Sequence, residues 1–215
     1  MSQRLAISVE GQSEYEFCRE VLQPHLHNYN VYAEAKIVLT KRNISGPNEK
    51  GGSISIDRIT NEIRPLLYSF DYVTTLYDFY GFKGKKAGET ADNICEKISD
   101  TFENSPKLIP YLQVYEFDTL LFSSPDKVGR LFNSTQITAR LSEIVNSCGG
   151  VENINDNPIT APSKRLGIIF KEELNERYHK TFHGPLSLLE IGLPSIREAC
   201  PRFNGWLSRL EALSN

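Results

Sequence analysis

With 215 residues, the chain is long enough for one domain with a sizeable core, or for one domain and a small appendage. Charged residues make up 24% and apolar residues 40%, a soluble globular composition rather than a disordered or membrane-spanning one. A formal net charge of −3 excludes a globally basic nucleic-acid binder, so any such contact needs a local basic patch.

The opening run, MSQRLAISVEG, is too short for a signal peptide or a membrane span. The four cysteines (Cys18, Cys95, Cys148, Cys200) are widely spaced without a CxxC pair, which predicts reduced, structural thiols and a cytoplasmic protein. Nothing in the sequence fixes the oligomeric state.

Leu5, Ile7 and Val9 alternate with small residues in a short strand. Gly11 follows, and Ser13 is the expected N-cap of a helix running to about Leu26, ended or kinked at Pro24. Residues 30–40 are extended in character. Residues 41–53, KRNISGPNEKGGS, read as a loop, and 55–68 as a helix with Ile56, Ile59, Ile63, Leu66 and Leu67 on one side. DYVTTLYD at 71–78 is a second strong strand, followed by the glycine-lysine segment GFKGKKAG and an amphipathic helix at 89–102. IPYLQVY at 109–115 is a third strong strand, leading into Glu116, Phe117 and Asp118 and then the apolar Leu120, Leu121 and Phe122. Beyond Pro125 the chain reads as helical, at 126–132, 135–146 and 163–175, with two or three short helices from Pro185 to Leu213. Phe203, Trp206, Leu207 and Leu210 are core or interface anchors.

Alternating strands and helices predict an α/β core over 1–125 with a largely parallel sheet flanked by helices. Residues 126–215 form a mainly helical region packed on it. Glu10, Asp78 and the pair Glu116 and Asp118 each close a predicted strand, and parallel strands bring such ends to one edge, where ligands of open α/β sheets bind. Crowded carboxylates raise one another's pKa, and a hard cation such as Mg²⁺ or Mn²⁺ relieves the repulsion. The same residue types also cap helices and solvate loops, so the pattern alone leaves a bland reading open.

VEGQSE at 9–14 resembles the first motif of TOPRIM-type domains, and Glu10 and Glu14 match the E-x-x-x-E form found in the overcoming-lysogenization-defect (OLD) nucleases. TLYDFYG at 75–81 falls where such proteins carry D-x-D: Asp78 matches the first acid, and Tyr80 stands in place of the second. VYEFDTLLFSSP at 114–125 supplies Glu116 and Asp118 instead. VEGQSEYEF, YDFYGF, YEFDTLLF, PSKRL, HGPLSLLEIGL and CPRFNGWL together resemble a bacterial family that carries only a domain-of-unknown-function label. The resemblance implies a TOPRIM-like, Mg²⁺-dependent nuclease acting on DNA or RNA. It further implies an anti-phage defence effector controlled by an AAA or ABC-type ATPase partner. Its metal and catalytic residues would be Glu10, Glu14, Asp78 and Glu116, with Asp118 a further metal ligand. The alternative is a non-catalytic module that binds the ATPase or nucleic acid at the same edge.

Lys83, Lys85 and Lys86 sit among glycines just after Asp78, where a lysine could hold a phosphate. Lys164 and Arg165 open a helix at Pro162, from which Lys164 could reach the active edge as a catalytic residue with Arg165 on nucleic acid, the alternative being an ordinary capped helix. Tyr178, His179, Lys180 and His183 form a basic-aromatic segment suited to a nucleic-acid backbone, with Lys180 as its phosphate contact.

Overall fold

The computed structural model describes residues 2–38, 54–154, 157 and 159–214. The expected loop at 41–53, the end of the expected strand at 39–40, and 155, 156 and 158 of the polar connector lie outside these residues. Strand β1 (Gln3–Val9) has every residue from Leu5 onward buried, as expected of a parallel strand covered on both faces. It pairs in parallel with β2 (Val31–Ile37) on one side and β3 (Tyr72–Asp78) on the other. Two short strands, β4 (Leu108–Ile109) and β5 (Leu112–Gln113), add in parallel to β3, giving the order β2-β1-β3-β4 with β5 also on β3.

The third strand expected at 109–115 is therefore interrupted. Pro110 has no N–H to give the ladder, so pairing breaks there. The threonines of β3 bridge the gap: Thr74 Oγ1 donates to the Ile109 carbonyl at 2.6 Å, and Thr75 Oγ1 donates to the Tyr111 carbonyl at 2.7 Å. Beyond β5 the chain stays tied to the end of β3, because the N–H groups of Phe79 and Tyr80 donate to the carbonyls of Gln113 and Tyr115.

After β1 the chain enters α1 (Gln12–Phe17), a π-helical turn (Cys18–Leu22) and α2 (Gln23–His27). Gly11, not Ser13, is the N-cap, and Ser13 is buried inside the first turn. Pro24 does not end the helix. The Gln23 N–H reaches back five residues to the Cys18 carbonyl. This wide turn accommodates a ring that a regular turn would press against the carbonyl four residues earlier.

Helices α3 (Ile56–Ser69) and α4 (Ala91–Thr101) cover one face of the sheet, burying Ile59, Ile63, Ile94 and Ile98 against Ala6, Val73, Tyr77 and Leu112. Thr90 and Asn93 cap α4 reciprocally, side chain to backbone in both directions. On the opposite face, Leu5, Ile7, Val9 and Leu76 join Phe17 and Leu22 in a second core that continues into the C-terminal helices. The apolar burst after Asp118 forms a buried 3-10 helix (Phe117–Ser123). It is followed by α5 (Pro125–Leu131), α6 (Thr135–Cys148), a short 3-10 turn (Val151–Asn153) and α7 (Pro162–Leu174). Then come α8 (Lys180–Ala199), which bends at Gly192 with φ 72°, and α9 (Pro201–Glu211). Trp206 of α9 anchors this layer: its indole stacks on Tyr111 at 4.5 Å, and its N–H donates to Thr74 Oγ1 at 2.8 Å. The architecture is α/β, a parallel sheet flanked by helices with a helical C-terminal region. Among the described residues no helix is long and apolar enough to cross a membrane.

The α5–α6 corner is packed against a glycine. A Cβ on Gly129 would lie 1.9 Å from Thr138 Oγ1 and 2.8 Å from the Ser134 carbonyl oxygen. Gly129→Ala is expected to cost ~1–3 kcal/mol through overpacking. A thermal melt should show it as a drop of ~2–4 °C per kcal/mol. A melting temperature equal to that of the wild type would contradict this tight corner.

Candidate active site

The register that pairs Val9 with Leu76 sets the ends of β1 and β3 side by side. Glu10 follows β1 and Asp78 closes β3, and the Asp78 N–H lies 3.4 Å from Glu10 Oε2. Gly11 is fully extended, and a Cβ there would stand 3.2 Å from Glu14 Oε2. The Glu14 carboxylate thus folds over the turn from the first turn of α1, where the helix dipole favours an anion. Asp78 Oδ1 accepts the Phe117 N–H at 2.6 Å, which fixes the start of the 3-10 helix to the same edge. That anchorage delivers Asp118, fully buried, into the group. Asp118 Oδ1 accepts the Tyr178 hydroxyl at 2.6 Å.

At the middle stands Lys180, the first residue of α8. Its Nζ is 3.3 Å from Glu14 Oε1, 3.3 Å from Asp78 Oδ2 and 3.8 Å from Asp118 Oδ2. The side chain as a whole remains 35% exposed. Burial pushes its pKa down, but Asp78, Asp118, Glu14 and Glu116 outweigh burial and hold it well above the usual lysine value.

One cation does not offset four carboxylates. Glu10 is pushed up to about 8, first by burial and then by Asp78 and Glu14, with Lys180 opposing. Glu14 is also raised, chiefly by burial. Burial lifts Asp118 to about 6 against the pull of Lys180 and Tyr178. Asp118 Oδ2 is buried with no hydrogen-bond partner, since 3.8 Å to Lys180 exceeds hydrogen-bond reach.

Glu116 is placed differently. Its Oε2 accepts the Ser163 N–H at 2.9 Å and its Oε1 the Ser163 hydroxyl at 3.2 Å, so it caps α7 from outside that helix. It stands near enough to act electrostatically on Asp118, but both oxygens are already engaged. Among the expected nucleic-acid contacts, Lys85 donates to the carbonyls of Phe79 and Tyr80 at 2.9 and 3.0 Å and lies over the Phe79 ring. Arg165 donates to the Thr160 carbonyl at 2.6 Å. Lys83, Lys86 and Lys164 are exposed. Lys180, expected on a nucleic-acid backbone, is drawn instead into the acidic group.

The sequence reading did not find that Tyr178 holds Asp118 or that Ser163 holds Glu116. These pairs are 60 and 47 residues apart, and the only local cue is that each lies where a helix opens. Among the described residues, no three Asp, Glu, His or Cys side chains are already arranged around one point to hold an ion. The donor set nonetheless suits a hard divalent cation. It is all oxygen, it is under-neutralised, and it includes an orphaned buried carboxylate oxygen.

A family model matches residues 9–211, from the last residue of β1 to the last of α9. The chain belongs to this family, a domain of unknown function (DUF4276). The DUF4276 match contains Glu10, Glu14, Asp78, Glu116, Asp118, Tyr178 and Lys180, so every group of the acidic site lies within the family domain. No curated protein sequence and no solved structure matches the chain significantly.

The raised carboxylates predict a pH dependence of folding. A carboxyl whose folded pKa exceeds its unfolded value binds more protons when folded, so stability falls as pH rises through that interval. For Glu10 the interval runs from 4.5 to about 8, and for Asp118 from 3.8 to about 6. In metal-free buffer the melting temperature should decline from pH 5 to pH 8, and Glu10→Gln should flatten the upper part of that decline. Lys180→Met should lower the melting temperature more at pH 8 than at pH 5, because at pH 5 Glu10 and Asp118 are protonated and the group carries less negative charge. Equal losses at both pH values would show that Lys180 acts through packing rather than charge.

Proposed function

We propose that the chain is a Mg²⁺- or Mn²⁺-dependent nuclease that hydrolyses phosphodiester bonds in DNA or RNA. The observation that carries this reading is the cluster of buried Glu14 and Asp118 with partly buried Glu10 and Asp78, which has Lys180 as its one ion-pairing cation among the described residues and an orphaned Asp118 Oδ2. The TOPRIM-like motif at 9–14 supports it. So does the placement of Asp118, which the Phe117 N–H anchors beside Asp78 and which can stand in for the acid missing at Tyr80.

Glu10, Glu14, Asp78 and Asp118 supply the oxygens that would hold the ion. A bound divalent cation would offset charge on the phosphate and activate the attacking oxygen. With the acids neutralised in that way, the Lys180 ammonium can turn to a phosphate oxygen of the substrate. Glu10, raised to about 8 in the metal-free group, would be held ionised by the cation. Tyr178 keeps Asp118 oriented through its 2.6 Å hydrogen bond. Control by an AAA or ABC-type ATPase in a cytoplasmic anti-phage system belongs to the same proposal and rests on the resemblance alone.

One observation favours the second reading, a non-catalytic module for a partner ATPase or nucleic acid. Lys180 already fills the centre of the acidic group, as a structural ion-pair network would.

Calorimetric titration with Mn²⁺ separates the two. Under the nuclease reading the wild type binds saturably and folded Glu10→Ala does not. Glu10→Ala should also lose more activity than the ~10–100-fold typical of an outer-sphere metal partner. A folded wild type that binds no Mn²⁺, with or without an oligonucleotide, would leave only the non-catalytic module.

A further inference from the structure

An open groove of about 600 Å³ runs along α7, and Ser163 and Tyr178 are among the residues that line it. Lys164, Gly167, Ile168 and Lys171 line it from successive turns of one helix face, and Arg177 and Tyr178 close its other side. Two lining residues also bond acids of the sheet edge: Ser163 donates to Glu116 and Tyr178 donates to Asp118. The groove is therefore continuous with the candidate active edge.

Its charge is one-sided. Lys164 and Arg177 make no ion pair with any described residue. Lys171 donates to the neutral Asn175 Oδ1 at 3.1 Å, which leaves its charge uncompensated. The groove's acid, Glu172, pairs with Arg140 at 2.5 Å, a guanidinium it shares with Glu173 at 2.9 Å, so the lining keeps three cations against one acid. Ile168, 47% exposed, gives the floor an apolar surface between the two lysines. Seven residues separate Lys164 from Lys171, ~10.5 Å along a helix rising 1.5 Å per residue.

We propose that this groove is the track for a single nucleic-acid strand. Lys164, Lys171 and Arg177 hold backbone phosphates along the groove, and the strand leaves it past Tyr178 toward the acidic group. The inference rests on the nuclease reading for its substrate class, but it assigns a binding surface that stands or falls by itself. It moves the nucleic-acid contacts away from Lys85 and Arg165, which are tied to main-chain carbonyls. It moves them onto Lys171 and Arg177, which the sequence pattern did not single out. Lys164 becomes a phosphate-holding residue of the track.

The test is fluorescence-anisotropy binding of labelled single-stranded DNA and RNA 20-mers to the full chain, across a salt series without divalent cations. Wild type is compared with the triple variant Lys164→Ala, Lys171→Ala, Arg177→Ala. Lys107→Ala, an exposed lysine at the start of β4, serves as a charge control. Circular dichroism checks each fold. Each lost phosphate contact should reduce the slope of log K against log salt by ~0.7 on a single strand, so the triple variant should be shallower by about 2. Lys107→Ala should match the wild type. The proposal is overturned if the triple variant keeps the wild-type slope, or if the wild type binds neither strand. Displacement of the strand by poly-glutamate as readily as by unlabelled oligonucleotide would also overturn it, in favour of an acidic protein partner. Binding with the expected slope change, but no metal-dependent cleavage by wild type, would retain the track and remove the nuclease reading.

Discussion

Carboxylates delivered by three separate connections meet at the carboxyl end of one parallel sheet, and their mutual repulsion is the constraint around which the molecule is built. β1 and β3 lie side by side, so Glu10 and Asp78 have no freedom to move apart. Glu14 is buried over the turn between them and Asp118 is fully buried behind. Such a group is stable in its ionised form only when something positive reaches it. Lys180 does so from more than a hundred residues along the chain, within 3.3 Å of two of the acids.

That compensation is incomplete, and the shortfall is informative. A structural salt-bridge network tends to satisfy its members, because an unpaired buried charge is costly. Here Glu10 remains shifted to about 8 and Asp118 Oδ2 has no donor. Glu116 offers the contrast within the same edge. With both oxygens bonded to Ser163, it behaves as a helix cap. Two kinds of acid therefore coexist a few residues apart: one satisfied and structural, the others crowded and in deficit. The deficit sits where ligands of open α/β sheets bind.

The parts legible from sequence were those with a local signature. The apolar runs at β1 and β3, the glycine turn after Glu10 and the amphipathic faces of α3 and α4 each leave a periodic trace. That Glu10, Asp78, Glu116 and Asp118 share one edge was expected from strand direction, but Asp118 is brought in by the Phe117 N–H on Asp78 and Glu116 is turned to Ser163. What the sequence concealed depended on contacts distant along the chain. Lys180 looks like any exposed lysine in a basic-aromatic segment until α8 is laid across the sheet edge. Lys85 looks like a loop cation, yet its ammonium is spent on the carbonyls of Phe79 and Tyr80. Local pattern also misled where backbone chemistry overrode it. Pro110 splits an apolar run that reads as one strand, and a π-turn carries a helix through Pro24.

The division into an α/β core over 1–125 and a helical region over 126–215 is useful for describing the chain but not for its site. The core supplies the acids. The helical region supplies Lys180 that neutralises them, Tyr178 that orients Asp118 and Ser163 that fixes Glu116. The two regions also share one hydrophobic core, in which Phe17 of α1 packs at 6.2 Å from Phe203 of α9. An α/β core without its C-terminal helices would expose that face and leave four carboxylates without their cation. The site is thus a product of the whole chain: the sheet fixes where negative charge accumulates, and the C-terminal helices decide whether that charge can be tolerated.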